Sequence, residues 1–131
     1  MLSTIIFCGC DFATDHENAV IFFSPQPITA ESFDANKVQN TFDCGQPIYF
    51  CIYSKTPFNS NEGLIQMFKK NPDTRIYGYT LEQGKDILLN PAKNSYTDSF
   101  AIYTEGYYLI KFFSQNNFDE PLAQNTFYVS Q

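Results

Sequence analysis

Two segments, one on each side of the chain's midpoint, most constrain what this sequence can fold into. Gly45-Gln46-Pro47-Ile48-Tyr49-Phe50-Cys51-Ile52-Tyr53 sets Ile48, Phe50 and Ile52 on one face of an extended strand and Tyr49, Cys51 and Tyr53 on the other. Glu105-Gly106-Tyr107-Tyr108-Leu109-Ile110-Lys111-Phe112-Phe113 carries a second apolar stripe, with Tyr108 and Ile110 at core positions. A strand's side chains repeat every two residues, so a one-residue slip exchanges its faces, and burial of one face fixes register. Each stripe needs an apolar layer opposite it. The two segments therefore read as facing strands of one sandwich.

The rest of the chain supplies further strands. Fourteen Phe and nine Tyr, with no Trp, suit pleated and half-buried surfaces. Ala19 to Ser24 is an apolar run stopped by Pro25 and Pro27, which reads as an edge strand. Lys37 to Phe42 alternates weakly, and Asp43-Cys44-Gly45 is a turn signal. Leu64 to Lys70 and Arg75 to Leu81 read as strands, the second with Gly78 as a bulge. Glu82-Gln83-Gly84-Lys85 reads as a turn, followed by a short strand, Asp86 to Leu89. Ser99 to Tyr103 and Asn125 to Val129 complete the set. No window holds apolar residues at helical spacing for three turns. A chain of 131 residues is one domain by default. The expectation is an all-β, antiparallel β-sandwich of about seven to nine strands.

Several of these residues carry a resemblance to immunoglobulin-like domains over residues 19–131. Gly45, Ile48, Phe50 and Ile52 resemble that family's strand B, with Ile52 where a disulfide-bearing member has Cys. Ile65, Met67, Phe68 and Lys69 resemble strand C, with Met67 where Trp is usual, and Gly106, Tyr108 and Ile110 resemble strand F. The family's Cys–Trp–Cys signature is absent. The resemblance implies an immunoglobulin-like sandwich in which Tyr108 is a tyrosine-corner residue, its hydroxyl bonding backbone at the sheet edge. The tail from Pro121 to Val129 is similar to the last hairpin arm of bacterial envelope modules of this kind.

The N-terminus points the same way. Leu2-Ser3-Thr4-Ile5-Ile6-Phe7-Cys8-Gly9-Cys10 resembles the end of a bacterial lipoprotein signal peptide, with Gly9-Cys10 at the cleavage junction. Phe7 and Cys8 depart from that motif, the basic leader is missing and the apolar segment is short. A start codon placed too late would account for both gaps. The resemblance implies that Cys10 carries the lipid, that residues 1–18 are signal remnant and tether, and that residues 19–131 form the domain. It also implies a bacterial envelope location, periplasmic or surface-exposed, with membrane contact through the lipid anchor alone. Without an upstream signal the reading becomes cytoplasmic. The same stretch also reads as a buried strand from Thr4 to Phe12.

The remaining cysteines, Cys44 and Cys51, lie seven positions apart. A strand rising about 3.3 Å per residue would hold them beyond the roughly 7 Å Cα limit for a disulfide. Their spacing also disfavours a zinc site with Cys8 and Cys10. A bridge from Cys8 or Cys10 to Cys44 or Cys51 stays open.

Little here reads as chemistry. The net charge is −6 and only Lys69 and Lys70 are adjacent cations, which argues against nucleic acid. His16 is the single histidine and lies among acids in the lead-in. The acid pairs Asp15/Glu17 and Asp119/Glu120 fall in loops. No cofactor is expected. The surplus of aromatics carries more weight: Tyr49, Tyr53, Phe68, Tyr77 and Tyr79 form a candidate partner-binding face, or else pack against further strands and loops of the same domain. The functional expectation is a non-catalytic envelope module that binds a protein or glycan, or serves a structural role. Two alternatives stand beside it. One is a cysteine-protease inhibitor using loops near Asn71 to Thr74 and Asn116 to Pro121, because Asn71-Pro72-Asp73-Thr74 faintly resembles one loop of the chagasin-type inhibitors. The other is a small β-barrel carrier that holds an apolar ligand among the many Phe and Tyr, which an interior cavity larger than about 300 Å³ would favour.

Overall fold

The computed structural model describes residues 19–29, 35–72 and 78–131. Among them, eight strands follow in order: β1 (Ala19–Ser24), β2 (Thr41–Asp43), β3 (Pro47–Ser54), β4 (Glu62–Lys70), β5 (Tyr79–Leu88), β6 (Ser95–Ala101), β7 (Gly106–Ser114) and β8 (Ala123–Ser130). A single 3-10 turn, Ala35–Lys37, precedes β2. The stripe read in β3 is the inward one: Ile48, Phe50 and Ile52 are buried. So are Tyr108, Ile110 and Phe112 of β7.

The strands form two sheets, β1-β3-β6 and β2-β8-β7-β4-β5. Every pairing is antiparallel except the short β2–β8 contact. Strands β1, β3 and β6 take the places of A, B and E of an immunoglobulin-like sandwich, and β4, β7 and β8 those of C, F and G. Strand β5 extends the second sheet beyond β4, and β2 closes its other side. The domain is an all-β, immunoglobulin-like sandwich.

Aromatic rings join the two layers. Phe127 of β8 packs against Phe23 of β1 at 5.0 Å and Phe100 of β6 at 5.6 Å between centroids. Within its own sheet it meets Tyr108 at 5.3 Å and Phe42 at 6.5 Å. One ring thus touches four others, two across the interface, and aromatic side chains supply the largest apolar area per residue. The Tyr108 hydroxyl donates to the Thr104 carbonyl at 2.8 Å, closing the corner before β7. That is the tyrosine-corner bond the resemblance implies. At the other end of β4, close packing requires a glycine. A Cβ on Gly63 would lie 2.8 Å from Phe112 Cε1 and 3.0 Å from the Phe113 carbonyl oxygen. The turn at Asp43-Cys44-Gly45 is present, with Gly45 at a φ of +81° and Gln46 N–H donating to the Asp43 carbonyl at 3.1 Å.

Gly78, expected as a bulge, instead precedes β5 with a φ of +82°, and two segments also differ from the sequence expectation. The composition of Glu82-Gln83-Gly84-Lys85 reads as a turn, yet it lies inside β5. Strand β4 supplies a continuous ladder to it. The local irregularity is a bulge, Met67 pairing with Gln83 and Phe68 with Leu81, so that Glu82 is the extra residue. Asp86 to Leu88 is the end of this same strand. Strand β6 starts at Ser95, before the expected Ser99, because Ser95, Thr97 and Ser99 are the outward residues of a strand whose Tyr96 and Phe100 face in.

Candidate functional site

The five-stranded sheet turns a filled apolar face to solvent. Alternation in β4 and β7 sends Met67 and Ile110 inward, and Phe68 and Leu109 outward as directly paired neighbours. Leu81 of β5 pairs with Phe68 and is 50% exposed. In the next row Tyr79 pairs with Lys70 and Tyr107 with Tyr128. The Tyr107 and Tyr128 rings lie 4.6 Å apart, and Tyr107 is 55% exposed. Lysines lie over these rings: Lys111 Nζ is 5.1 Å from the Phe68 centroid and Lys70 Nζ is 5.6 Å from that of Tyr107. The Tyr128 hydroxyl donates to Glu105 Oε2 at 2.7 Å, and this bond to a carboxylate raises its pKa.

The three-stranded sheet turns a hollow face outward. Its register sets three rows across β1, β3 and β6: Ser24–Tyr49–Ser99, Phe22–Cys51–Thr97 and Val20–Tyr53–Ser95. The middle row places a short thiol between two tyrosines of the same strand, with Thr97 and Ser95 equally short beside it. The result is a depression of about 420 Å³ lined by Phe22, Cys51, Tyr53, Ser95 and Thr97, together with Ile28, Thr29 and Asn94. Cys51 is a free thiol, and desolvation by burial raises its pKa, so it stays protonated at neutral pH.

Between the sheets, on the open side where β5 and β6 face each other, lies a smaller cavity of about 100 Å³. A polar clasp crosses its mouth. Lys85 Nζ is 3.4 Å from Asp98 Oδ2, the Tyr96 hydroxyl donates to the same oxygen at 3.2 Å, and Ser99 N–H donates to Asp98 Oδ1 at 2.8 Å. Burial, then the Asp98 charge and hydrogen bond, push Tyr96 up to about 12. For Asp98, desolvation pulls upward, but the bonds from Ser99, Tyr96 and Lys85 together prevail and lower its pKa.

The residues singled out from sequence do not share one surface. Tyr49 and Tyr53 flank Cys51 on the three-stranded sheet. Phe68 and Tyr79 lie on the five-stranded sheet. Tyr77 and Cys10 lie outside the described residues, as do His16, Asp15 and Glu17. Reading by residue type alone passed over Leu81 and Leu109, which complete the filled face, and Ser95 and Thr97, which hollow the other. The alternation opposite the Tyr108–Ile110 stripe was the available signal for Leu109. Among the described residues, no group of three or more His, Cys, Asp or Glu side chains is placed to hold a metal.

The topology also bears on the two alternatives. Strand β4 runs antiparallel to β7, with Lys69 beside Tyr108 and Gly63 beside Ser114. The loop starting at Asn71 and the loop from Gln115 to Leu122 therefore leave opposite ends of the sandwich, separated by about 20 Å of strand. The sheets are two and do not close into a barrel, and the 100 Å³ cavity between them falls well short of a carrier's interior.

This geometry defines an immunoglobulin-like β-sandwich module. No family model and no curated protein sequence matches the chain. Among solved structures it is similar to the PmoD soluble domain from Methylocystis sp., with a TM-score of 0.52 at 11% identity, covering 86% of this chain and 90% of that one. An immunoglobulin-like protein from Pseudomonas aeruginosa superposes at 0.46 with 12% identity over 86% and 90% of the two chains. A superoxide reductase (neelaredoxin) from Ignicoccus hospitalis superposes at 0.42 with 9% identity over 70% and 74%. The PmoD likeness speaks to fold alone, and the two lower ones carry no argument.

Proposed function

We propose that this chain is a non-catalytic binding or structural module of a bacterial cell envelope, anchored by a lipid on Cys10, that offers its five-stranded face to a protein or glycan. The observation that carries the reading is the continuous outward row Leu81–Phe68–Leu109, bordered by Tyr79, Tyr107 and Tyr128. Tyr-rich apolar surface with a charged border is the composition of partner-binding patches. The lysines over Phe68 and Tyr107 keep that surface soluble when free and leave the rings available for stacking on a partner. The envelope location rests on Ile5-Ile6-Phe7-Cys8-Gly9-Cys10.

Two experiments test the two halves. Expressed in its natural reading frame in a bacterium fed an alkyne-bearing fatty acid, the protein should take up label and fractionate with membranes, and Cys10→Ser should lose both. Label that is absent, or that persists in Cys10→Ser, removes the anchor. A photo-crosslinking residue at Leu81 should give a discrete adduct in cells, while the same residue at Val20, on the opposite face, should not. Equal labelling at both positions removes the binding face.

A further inference from the structure

The depression on the three-stranded sheet is not part of the surface just assigned. It lies on the other side of the sandwich, and its floor is built by register. Phe22, Cys51 and Thr97 are directly cross-paired, and Tyr53 pairs with Ser95 in the adjacent row. Cys51 is only 9% exposed although it points away from the core, so the walls around it exclude water. Phe22 and Tyr53 line it, and the chain after β1 adds Ile28 to the lining. The volume of about 420 Å³ falls in the range of roughly 300–1,000 Å³ that holds small molecules.

The chemistry of the lining defines what would fit. Among the described residues, the lining includes no Lys, Arg, His, Asp or Glu. From these side chains an ionic ligand would lose its hydration without gaining a counter-charge, so they favour an uncharged one. Two aromatic rings and an isoleucine supply apolar contact, while the hydroxyls of Ser95 and Thr97 and the Asn94 amide supply hydrogen-bonding groups. The Cys51 thiol, held protonated by burial, adds a polarisable and uncharged floor. We infer that this depression is a binding site for an uncharged small molecule with a flat aromatic or alkyl body and a single hydrogen-bonding end.

The probe is N-phenyl-1-naphthylamine, an uncharged aromatic amine whose fluorescence rises on leaving water, titrated into the full chain. The expected result is saturable one-to-one binding. Thr97→Trp, which places a large ring into the depression from an exposed strand position, should weaken binding about tenfold or more. Ser95→Phe serves the same purpose from the next row, should the first variant fold poorly. Leu81→Lys, on the five-stranded face, should leave probe affinity unchanged. A second readout uses Cys51 itself. N-ethylmaleimide adds the thiolate sulfur across its carbon–carbon double bond, and the new carbanion takes a proton from water. Bound probe should slow that addition at Cys51, followed by peptide mass spectrometry, and leave Cys44 unaffected. Binding that does not saturate, that is unchanged in folded Thr97→Trp and Ser95→Phe, or that is lost in Leu81→Lys overturns the site. None of these outcomes alters the photo-crosslinking test of the opposite face, so the two readings fail separately.

Discussion

The two outward faces of this sandwich are built from the same alternation and end as different kinds of surface. On the five-stranded sheet the outward apolar positions include Phe68, Leu81, Tyr107, Leu109 and Tyr128, and neighbouring rings and lysine stems pack among them. On the three-stranded sheet the central outward positions are Cys51, Thr97 and Ser95, and a depression of about 420 Å³ is lined by these with Tyr53 and Phe22. Both sheets alternate inward and outward side chains. Side-chain length along one cross-strand row decides whether a sheet offers a level platform, suited to a macromolecule, or a hollow, suited to a small one.

Four perturbations break or sharpen that contrast, in decreasing order of effect. Phe127→Ala removes the ring shared by both layers and should cost about 3–5 kcal/mol, read as a lower urea midpoint. Because it supports both faces, probe binding and crosslinking should weaken together. Tyr108→Phe deletes the corner hydroxyl bond to Thr104 at 2.8 Å and should cost about 1–2 kcal/mol, without filling the hollow face. Alkali should act next, through Tyr96. Its folded pKa of about 12 stands above the ordinary value of 10.0, so the folded state holds a proton that the unfolded chain releases. That stabilisation is complete below pH 10 and is lost as pH rises from about 10 to 12. Urea midpoints measured across this window should fall, and Tyr96→Phe should flatten the decline. The smallest effect belongs to Lys111→Ala, which removes a cation 5.1 Å above Phe68. It should change stability by only about 0.5 kcal/mol while altering crosslinking at Leu81 and leaving probe binding untouched.

The central strands of this fold were legible in the sequence because burial forces alternation. Strands β3 and β7 are bounded by layers on their inward faces, and Ile48, Phe50, Ile52, Tyr108 and Ile110 announce it. Strand β5 was legible only at its ends, Tyr79 to Leu81 and Asp86 to Leu88, and not as one strand. Ile87 is its one buried residue, so nothing in its composition marks an inward face, and Glu82 and Gly84 look like turn residues. Only the ladder supplied by β4 makes it a strand. The binding surfaces were half legible for a related reason. Tyr49, Tyr53, Phe68 and Tyr79 were visible as surplus aromatics, but which sheet each faced depended on strand order. The hollow depended on absences, the short side chains of Cys51, Ser95 and Thr97, which become meaningful only once register places them side by side.

The two outward faces differ in kind. The most direct measurement is an amide-resonance titration of the isotopically labelled chain with N-phenyl-1-naphthylamine. Saturating shifts confined to Phe22, Cys51, Tyr53, Ser95, Thr97 and their neighbours, with Phe68, Leu81, Tyr107 and Leu109 still, are the predicted result. Shifts centred on the five-stranded sheet, or spread evenly over both faces, would contradict it.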